Sequence, residues 1–249
     1  MDRKLPNSAS TGSAQPETTA PEAGGSAKIS HPYTYRPRTH PLVLLVVMVF
    51  YMITTLAWGL QGLPARLVWA SLGTLIPLVS VGGLRGEKTR LLRVLGVLGA
   101  LQIAVLWINC IIPTPSTALI ESIVSTVFYG YLTVLLVSYL ARSRQVDANT
   151  IYAAATVFLL LGVAWANVHH LIALIFPGSY TAGMTATDYL YFSFTTLTTT
   201  GFGDILALTS LARLATMLEE VMGTLYVAIL IGRIVGITVS NAPHREDPP

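Results

Sequence analysis

Residues 195–205 read TTLTTTGFGDI. Five of the eleven are threonine, and Gly201 and Gly203 flank Phe202. The sequence on either side is apolar, so hydroxyls and flexible backbone are concentrated in one short run. The chain has 249 residues, 53% of them hydrophobic and only 11% charged, and its mean hydropathy is +0.62. Soluble domains carry about 25% charged residues. A soluble fold of this length could not hide so much apolar surface, so the composition points to an integral membrane protein. The net charge of +3 gives no footing for nucleic-acid binding. The single cysteine, Cys110, lies in an apolar run and excludes an intrachain disulfide.

Outward from the run, long apolar stretches alternate with short polar breaks. A helix needs about 20 apolar residues to cross a bilayer. The predicted spans are 41–60, 66–84, 91–112, 118–141, 150–176 and 211–239, with a kink at Pro77 in the second. Residues 188–200 are too short for a span and suit a re-entrant segment. Residues 1–40 form a cytosolic tail, expected to be disordered because its first 31 residues are rich in Ser, Thr, Ala, Pro and Gly. Residues 41–141 make a four-helix transmembrane domain, 150–240 a second domain, and 241–249 a short cytosolic tail with no folded domain expected after it.

The basic residues orient this layout. Arg3, Lys4, Lys28, Arg36 and Arg38 precede the first span; Arg85, Lys88, Arg90 and Arg93 follow the second; Arg142 and Arg144 follow the fourth; and Arg245 follows the last. Cytoplasmic loops carry the Lys and Arg excess, so both termini are expected in the cytoplasm. Only Arg66 and Arg213 fall outside, and residues 188–200 enter the bilayer from that side. The expected location is the cell membrane, multi-pass.

A dehydrated cation in a bilayer needs oxygen ligands in place of its water. Backbone carbonyls supply them if they point into a cavity, the only place where irregular backbone is tolerated at membrane depth. Residues 188–198 suit a half-helix with Asp188 near its positive end. Residues 199–203 suit an extended strand whose glycines free the backbone, and Asp204 caps the mouth. Packing of a threonine-rich helix in a bundle is the competing reading, but two glycines would weaken that helix without gain.

Thr199-Thr200-Gly201-Phe202-Gly203-Asp204 resembles the Thr-Val-Gly-Tyr-Gly-Asp signature of the potassium-channel superfamily. The adjacent aromatics Tyr191 and Phe192 match the pore helix of that family, and Gly223 holds the place of its inner-helix hinge. The resemblance covers roughly residues 150–239 and extends to small bacterial ion-channel proteins. It implies an all-α membrane fold of six transmembrane helices, with a re-entrant pore helix and a selectivity-filter strand between helices 5 and 6. It implies a homotetramer in the lipid bilayer that passes potassium ions. The ions would be held by the carbonyls of Thr199, Thr200, Gly201 and Phe202 and by the Thr199 hydroxyl. No cofactor, small-molecule substrate or enzymatic activity is expected. Thr200 replaces the usual Val or Ile, and its hydroxyl is free to bond locally and loosen potassium preference. Phe202 replaces Tyr and loses a hydroxyl. Thr195 stands where some relatives have Glu.

Glu219 and Glu220 lie early in the last span. One of them is expected behind the filter on a pore-helix hydroxyl such as Thr195 or Thr196, or else in a polar contact with Arg213. His169 and His170 are read as interfacial residues rather than a pH sensor or chelate, since adjacent side chains on a helix diverge. Glu121 is expected to pair with Arg66. Gly223 is a hinge on the family position, or else permits close helix packing. The fourth span has no Lys or Arg between positions 118 and 141, so conventional voltage gating is not expected. A nonselective cation channel, a non-conducting regulatory subunit, and a membrane enzyme or transporter subunit are the alternatives.

Overall fold

The computed structural model describes residues 41–57, 62–83, 89–143 and 147–240. Seven α-helices run through them: α1 (Pro41–Ala57), α2 (Leu63–Gly83), α3 (Thr89–Ile111), α4 (Pro115–Arg142), α5 (Ala148–Ile175), α6 (Ala186–Leu197) and α7 (Ser210–Ser240). No β-strand occurs among the described residues, only an isolated bridge between Tyr180 and Ala207. The tails expected at 1–40 and 241–249 lie outside the described residues. Five helices, α2 to α5 and α7, are long and apolar enough to cross a membrane, while α1 is apolar but shorter.

Local chemistry sets the helix starts. Thr114 Oγ1 accepts from the Thr117 N–H at 3.1 Å, and Thr117 Oγ1 accepts from the Thr114 N–H at 2.9 Å. With Pro115 at the first helical position, this reciprocal cap starts α4 immediately after α3 ends. Asp147 caps α5, its Oδ1 accepting from the Thr150 N–H at 2.8 Å. The hydrogen bond from the Thr150 hydroxyl is the largest influence holding the Asp147 carboxyl below its ordinary range. The helix α2 continues through Pro77, and Gly99 of α3 lies against that ring, where a Cβ would come within 3.3 Å of Pro77 Cβ.

The helix α5 is the central post. It packs against α4, α1, α6 and α7. Met48, Leu95, Phe128, Leu132, Val157 and Leu160 fill the core between these helices. A polar pair crosses it where Gln102 Nε2 donates to Ser125 Oγ at 2.9 Å. The helix α7 rests on α5 and α6 and is the least covered of the five long spans.

Candidate functional site

The short helix α6 is closed at its start by Asp188, whose Oδ2 accepts from the Thr185 N–H at 2.6 Å and from the Thr185 hydroxyl at 2.7 Å. Its end folds back on itself. The N–H of Thr199 reaches the Thr196 carbonyl at 2.9 Å, and the N–H groups of Thr200 and Gly201 both reach the Thr195 carbonyl, at 2.8 and 3.1 Å. In a trans peptide the carbonyl points opposite to the N–H. The carbonyls of Thr198, Thr199 and Thr200 therefore face away from α6.

The dihedral angles repeat this alternation. Thr199, Gly201 and Gly203 have φ of 56°, 51° and 78°, so every second residue is left-handed. Alternating hands turn successive peptide groups the same way. This differs from a regular β-strand, which alternates its carbonyls between two sides, and the positive φ at Gly201 and Gly203 is the backbone freedom expected of those glycines. Glycine takes positive φ freely, but β-branched Thr199 does so against strain of about 1–3 kcal/mol.

The side chains of the run are tied locally. Thr198 Oγ1 donates to the Phe194 carbonyl at 2.7 Å and lies 2.8 Å from Thr200 Oγ1. Since Thr198 has spent its one proton, Thr200 donates to it. Phe202 stacks on Tyr191, with centroids 6.3 Å apart and planes 4° from parallel. Phe192 turns to the other side of α6, edge-on to His169 at 5.0 Å and to Tyr180 at 5.6 Å. Thr195 donates to its own helix, at the Phe192 carbonyl, 2.9 Å away.

Behind this run lies a buried polar chain. Tyr180 Oη is 2.6 Å from His169 Nδ1, and His169 Nε2 is 2.7 Å from Glu219 Oε2. Glu219 Oε1 meets Ser193 Oγ, which lies 2.7 Å from the Gly162 carbonyl oxygen. His169, Ser193 and Glu219 are fully buried. The chain links α5, the loop after it, α6 and α7. Several expectations change here. His169 is interior rather than interfacial. Glu219 bonds Ser193 and His169 rather than Thr195 or Thr196. Glu220 is exposed, and Arg213 Nε donates to the Ala207 carbonyl at 3.1 Å. Glu121 takes its hydrogen bond from Asn109 Nδ2 at 2.6 Å, and among the described residues no ion pair joins it to Arg66.

Two glycines let α6 sit this close. A Cβ at Gly162 would strike the Phe194 ring, and a Cβ at Gly223 would strike the Leu197 carbonyl. Gly223 thus meets a packing demand, and α7 runs unbroken through it. Ser193 and Gly162 were not singled out from the sequence. Gly162 carried a usable signal, a lone glycine inside an apolar helix; Ser193 carried none. Among the described residues no cluster of three His, Cys, Asp or Glu side chains suits a metal ion.

Residues 150–240 match the family model described as an ion channel. This segment is similar to that family, and the match covers well under half of the chain. The match begins with α5, takes in α6 and the threonine–glycine run, and ends with α7. The matched segment therefore contains the whole buried chain behind the run, and together with the five helices long and apolar enough to cross a membrane it makes the chain a multi-pass membrane protein. No curated protein and no solved structure matches the chain.

Proposed function

We propose that four copies of this chain form a potassium-selective channel that conducts passively and is not conventionally voltage-gated. The observation that carries this reading is the backbone of residues 198–201. Three N–H groups are tied back to α6, which leaves the carbonyls of Thr198, Thr199 and Thr200 free on the opposite side. Such carbonyls can replace the hydration shell of a cation, and the C-terminal end of α6 adds partial negative charge nearby. Gly201, Phe202 and Gly203 continue the path, with Asp204 at its outer mouth. Tyr191, Phe192, Thr195 and Glu219 support it from behind, and Glu220 faces away from that support.

One chain supplies one wall of such a pore. The exposed Phe202 and the sparsely covered α7 are surfaces that neighbouring copies would cover. In this reading α1 completes six spans, α6 enters from the outer face, and both termini are cytoplasmic. Gly223 serves first as a contact glycine and bends as a hinge on opening. The helix α4 offers no arginine or lysine between positions 118 and 141 for the field to move, and each charge would contribute about 2.3 kcal/mol per 100 mV.

A second reading, a nonselective monovalent cation channel, is favoured by the Thr200 hydroxyl bond to Thr198. Purified protein in planar bilayers, with potassium on one side and sodium on the other, decides between them. A reversal potential near that of potassium is expected. Equal permeability leaves the nonselective pore, and absence of any conductance sinks both. Crosslinking in the membrane should reach and stop at the tetramer.

A further inference from the structure

A cavity of about 550 Å³ opens among the outer ends of α1 to α6. Its size falls in the range of small-molecule sites, about 300–1,000 Å³. It lies away from the threonine–glycine run, and the channel reading gives it no role. Its walls carry a carboxyl group and a guanidinium. Glu121 is buried, and its protein partner is the neutral amide of Asn109. Arg66 lines the same cavity, yet among the described residues no ion pair joins the two. A buried carboxylate ordinarily has a cationic partner. Among the described residues no cationic side chain takes that place, and a guanidinium lines the same cavity.

The remaining lining fits an ammonium group beside Glu121. Tyr51 and Trp69 present adjoining rings with centroids 6.4 Å apart, the kind of face that attracts cations. Asn167 spends its amide donor on the Val163 carbonyl at 2.7 Å, which leaves its side-chain oxygen as an acceptor. A simple amine would satisfy these groups but not Arg66. A simple acid would satisfy Arg66 but not Glu121.

We infer that the cavity is a binding site for a small zwitterion, an ammonium group close to a carboxylate, as in an α-amino acid. The ammonium sits between Glu121 and the Asn167 oxygen, and the carboxylate meets Arg66. The site also adjoins the pore elements. Leu190 and Thr187 of α6 line it, as does His170. His170 lies 3.0 Å from Ser122 Oγ, and its ring is 5.1 Å from that of Tyr189. Occupation therefore bears on the seating of α6, a consequence that rests on the channel reading; the binding itself does not.

The test uses full-length protein in nanodiscs of phosphatidylcholine, whose headgroup lacks a primary ammonium. Each of the α-amino acids is titrated while tryptophan fluorescence is followed, since Trp69 lines the cavity. Amines without the carboxylate and acids without the ammonium are titrated in parallel. At least one amino acid is expected to bind saturably and more tightly than either analogue. Glu121→Gln should weaken amino acid and amine alike by about tenfold or more, the loss that follows one desolvated charge-assisted hydrogen bond. Arg66→Gln, at an exposed position, should weaken the amino acid while sparing the amine, and it serves if Glu121→Gln fails to fold. Saturation by no amino acid overturns the inference. So does competition only by phosphatidylethanolamine added to the discs, which would make the occupant a lipid headgroup. Ion flux in liposomes is read separately. A ligand effect on flux that Glu121→Gln removes supports coupling to the pore. Binding without such an effect overturns the coupling and keeps the site, and a protein that never conducts overturns the channel reading alone.

Discussion

The chain from Tyr180 to Gly162 has four contacts and leaves little freedom in where its protons lie. Ser193 Oγ sits between the Glu219 carboxyl and the Gly162 carbonyl and has one proton. If Glu219 is a carboxylate and His169 an imidazolium, Ser193 donates to one oxygen and faces the other without a proton between. If Glu219 is instead a carboxylic acid, every contact is filled. Tyr180 donates to His169 Nδ1, His169 Nε2–H donates to Glu219 Oε2, the carboxyl O–H donates to Ser193, and Ser193 donates to Gly162. The two arrangements hold the same number of protons, but the second places no charge in the interior. Burying an ion pair is favourable only with its remaining hydrogen bonds satisfied, so the neutral chain is expected.

Glu219→Gln separates the two. A glutamine offers one acceptor to His169 and one donor to Ser193, so it reproduces the neutral chain with a single amide hydrogen left over. The expected loss is about 1–2 kcal/mol, within the range for one unsatisfied donor. Glu219→Leu removes both bonds and orphans the His169 N–H, for a loss of about 3–5 kcal/mol on the same scale. Thermal unfolding in one fixed detergent should rank wild type above Glu219→Gln and both well above Glu219→Leu. Infrared difference spectra of wild type against Glu219→Gln should lose a protonated-carboxyl stretch. Loss of carboxylate bands instead, or a glutamine variant as unstable as the leucine variant, would refute the neutral assignment.

Gly223→Ala should displace the end of α6 and lower unfolding temperature by the equivalent of about 1–3 kcal/mol, the usual cost of overpacking. Gly236→Ala in the same helix, where a Cβ meets nothing within 4 Å, should leave the unfolding temperature unchanged or raise it. Thr200→Val keeps the β-branched shape and removes the bond to Thr198. Bilayer recordings should find conductance retained and the potassium-to-sodium permeability ratio no lower, whereas loss of conductance would mean that the hydroxyl itself holds the run in place. Asp147→Ala should cost about 1 kcal/mol as a lost helix cap. The depressed Asp147 carboxyl makes this contribution present above the ordinary carboxylate range and lost as pH falls through its lower folded value. Unfolding curves of wild type and variant should therefore converge in acid. Arg233 donates to the Ser143 carbonyl and, at 3.3 Å, to that of Ala141 at the end of α4. Arg233→Gln should lower unfolding temperature more than a substitution at the unencumbered Ile229 position.

What could be read from the sequence follows from the range of each interaction. Helix positions were legible because apolar runs and caps are local: the predicted half-helix at 188–198 is α6 at Ala186–Leu197, with Asp188 in its first turn. The left-handed turns at Gly201 and Gly203 were legible because glycine is the residue that takes them freely. Thr199 was not, since nothing in its neighbours announces a threonine held at positive φ. The chain behind the run was legible only as a buried glutamate in search of a pore-helix hydroxyl. Which hydroxyl it finds depends on the rotation of α7 against α6, which Gly223 sets through its approach to Leu197, and a single sequence does not carry that angle. His169 illustrates the same limit. Its place near the end of a span suggests an interface, but α6 and the Tyr180 loop fold over that end and enclose it.

The density of hydroxyls in the opening run has a structural explanation that composition alone does not suggest. Thr195 and Thr198 give their protons to carbonyls inside α6, and Thr200 gives its own to Thr198. These three hydroxyls are thus spent within the turn, and none competes for the carbonyls that face the other way. Among the described residues the Thr199 hydroxyl has no such partner, although its backbone is the strained one. A threonine placed at positive φ, with its neighbours' hydroxyls occupied and its own free, is costly if its task is only to end a helix. Glycine at 199 would end it without strain, as Gly201 and Gly203 do at their own turns. The retained side chain is accounted for if its oxygen is wanted on the open side of the run, beside the carbonyls of Thr198 and Thr199, where a cation would find it.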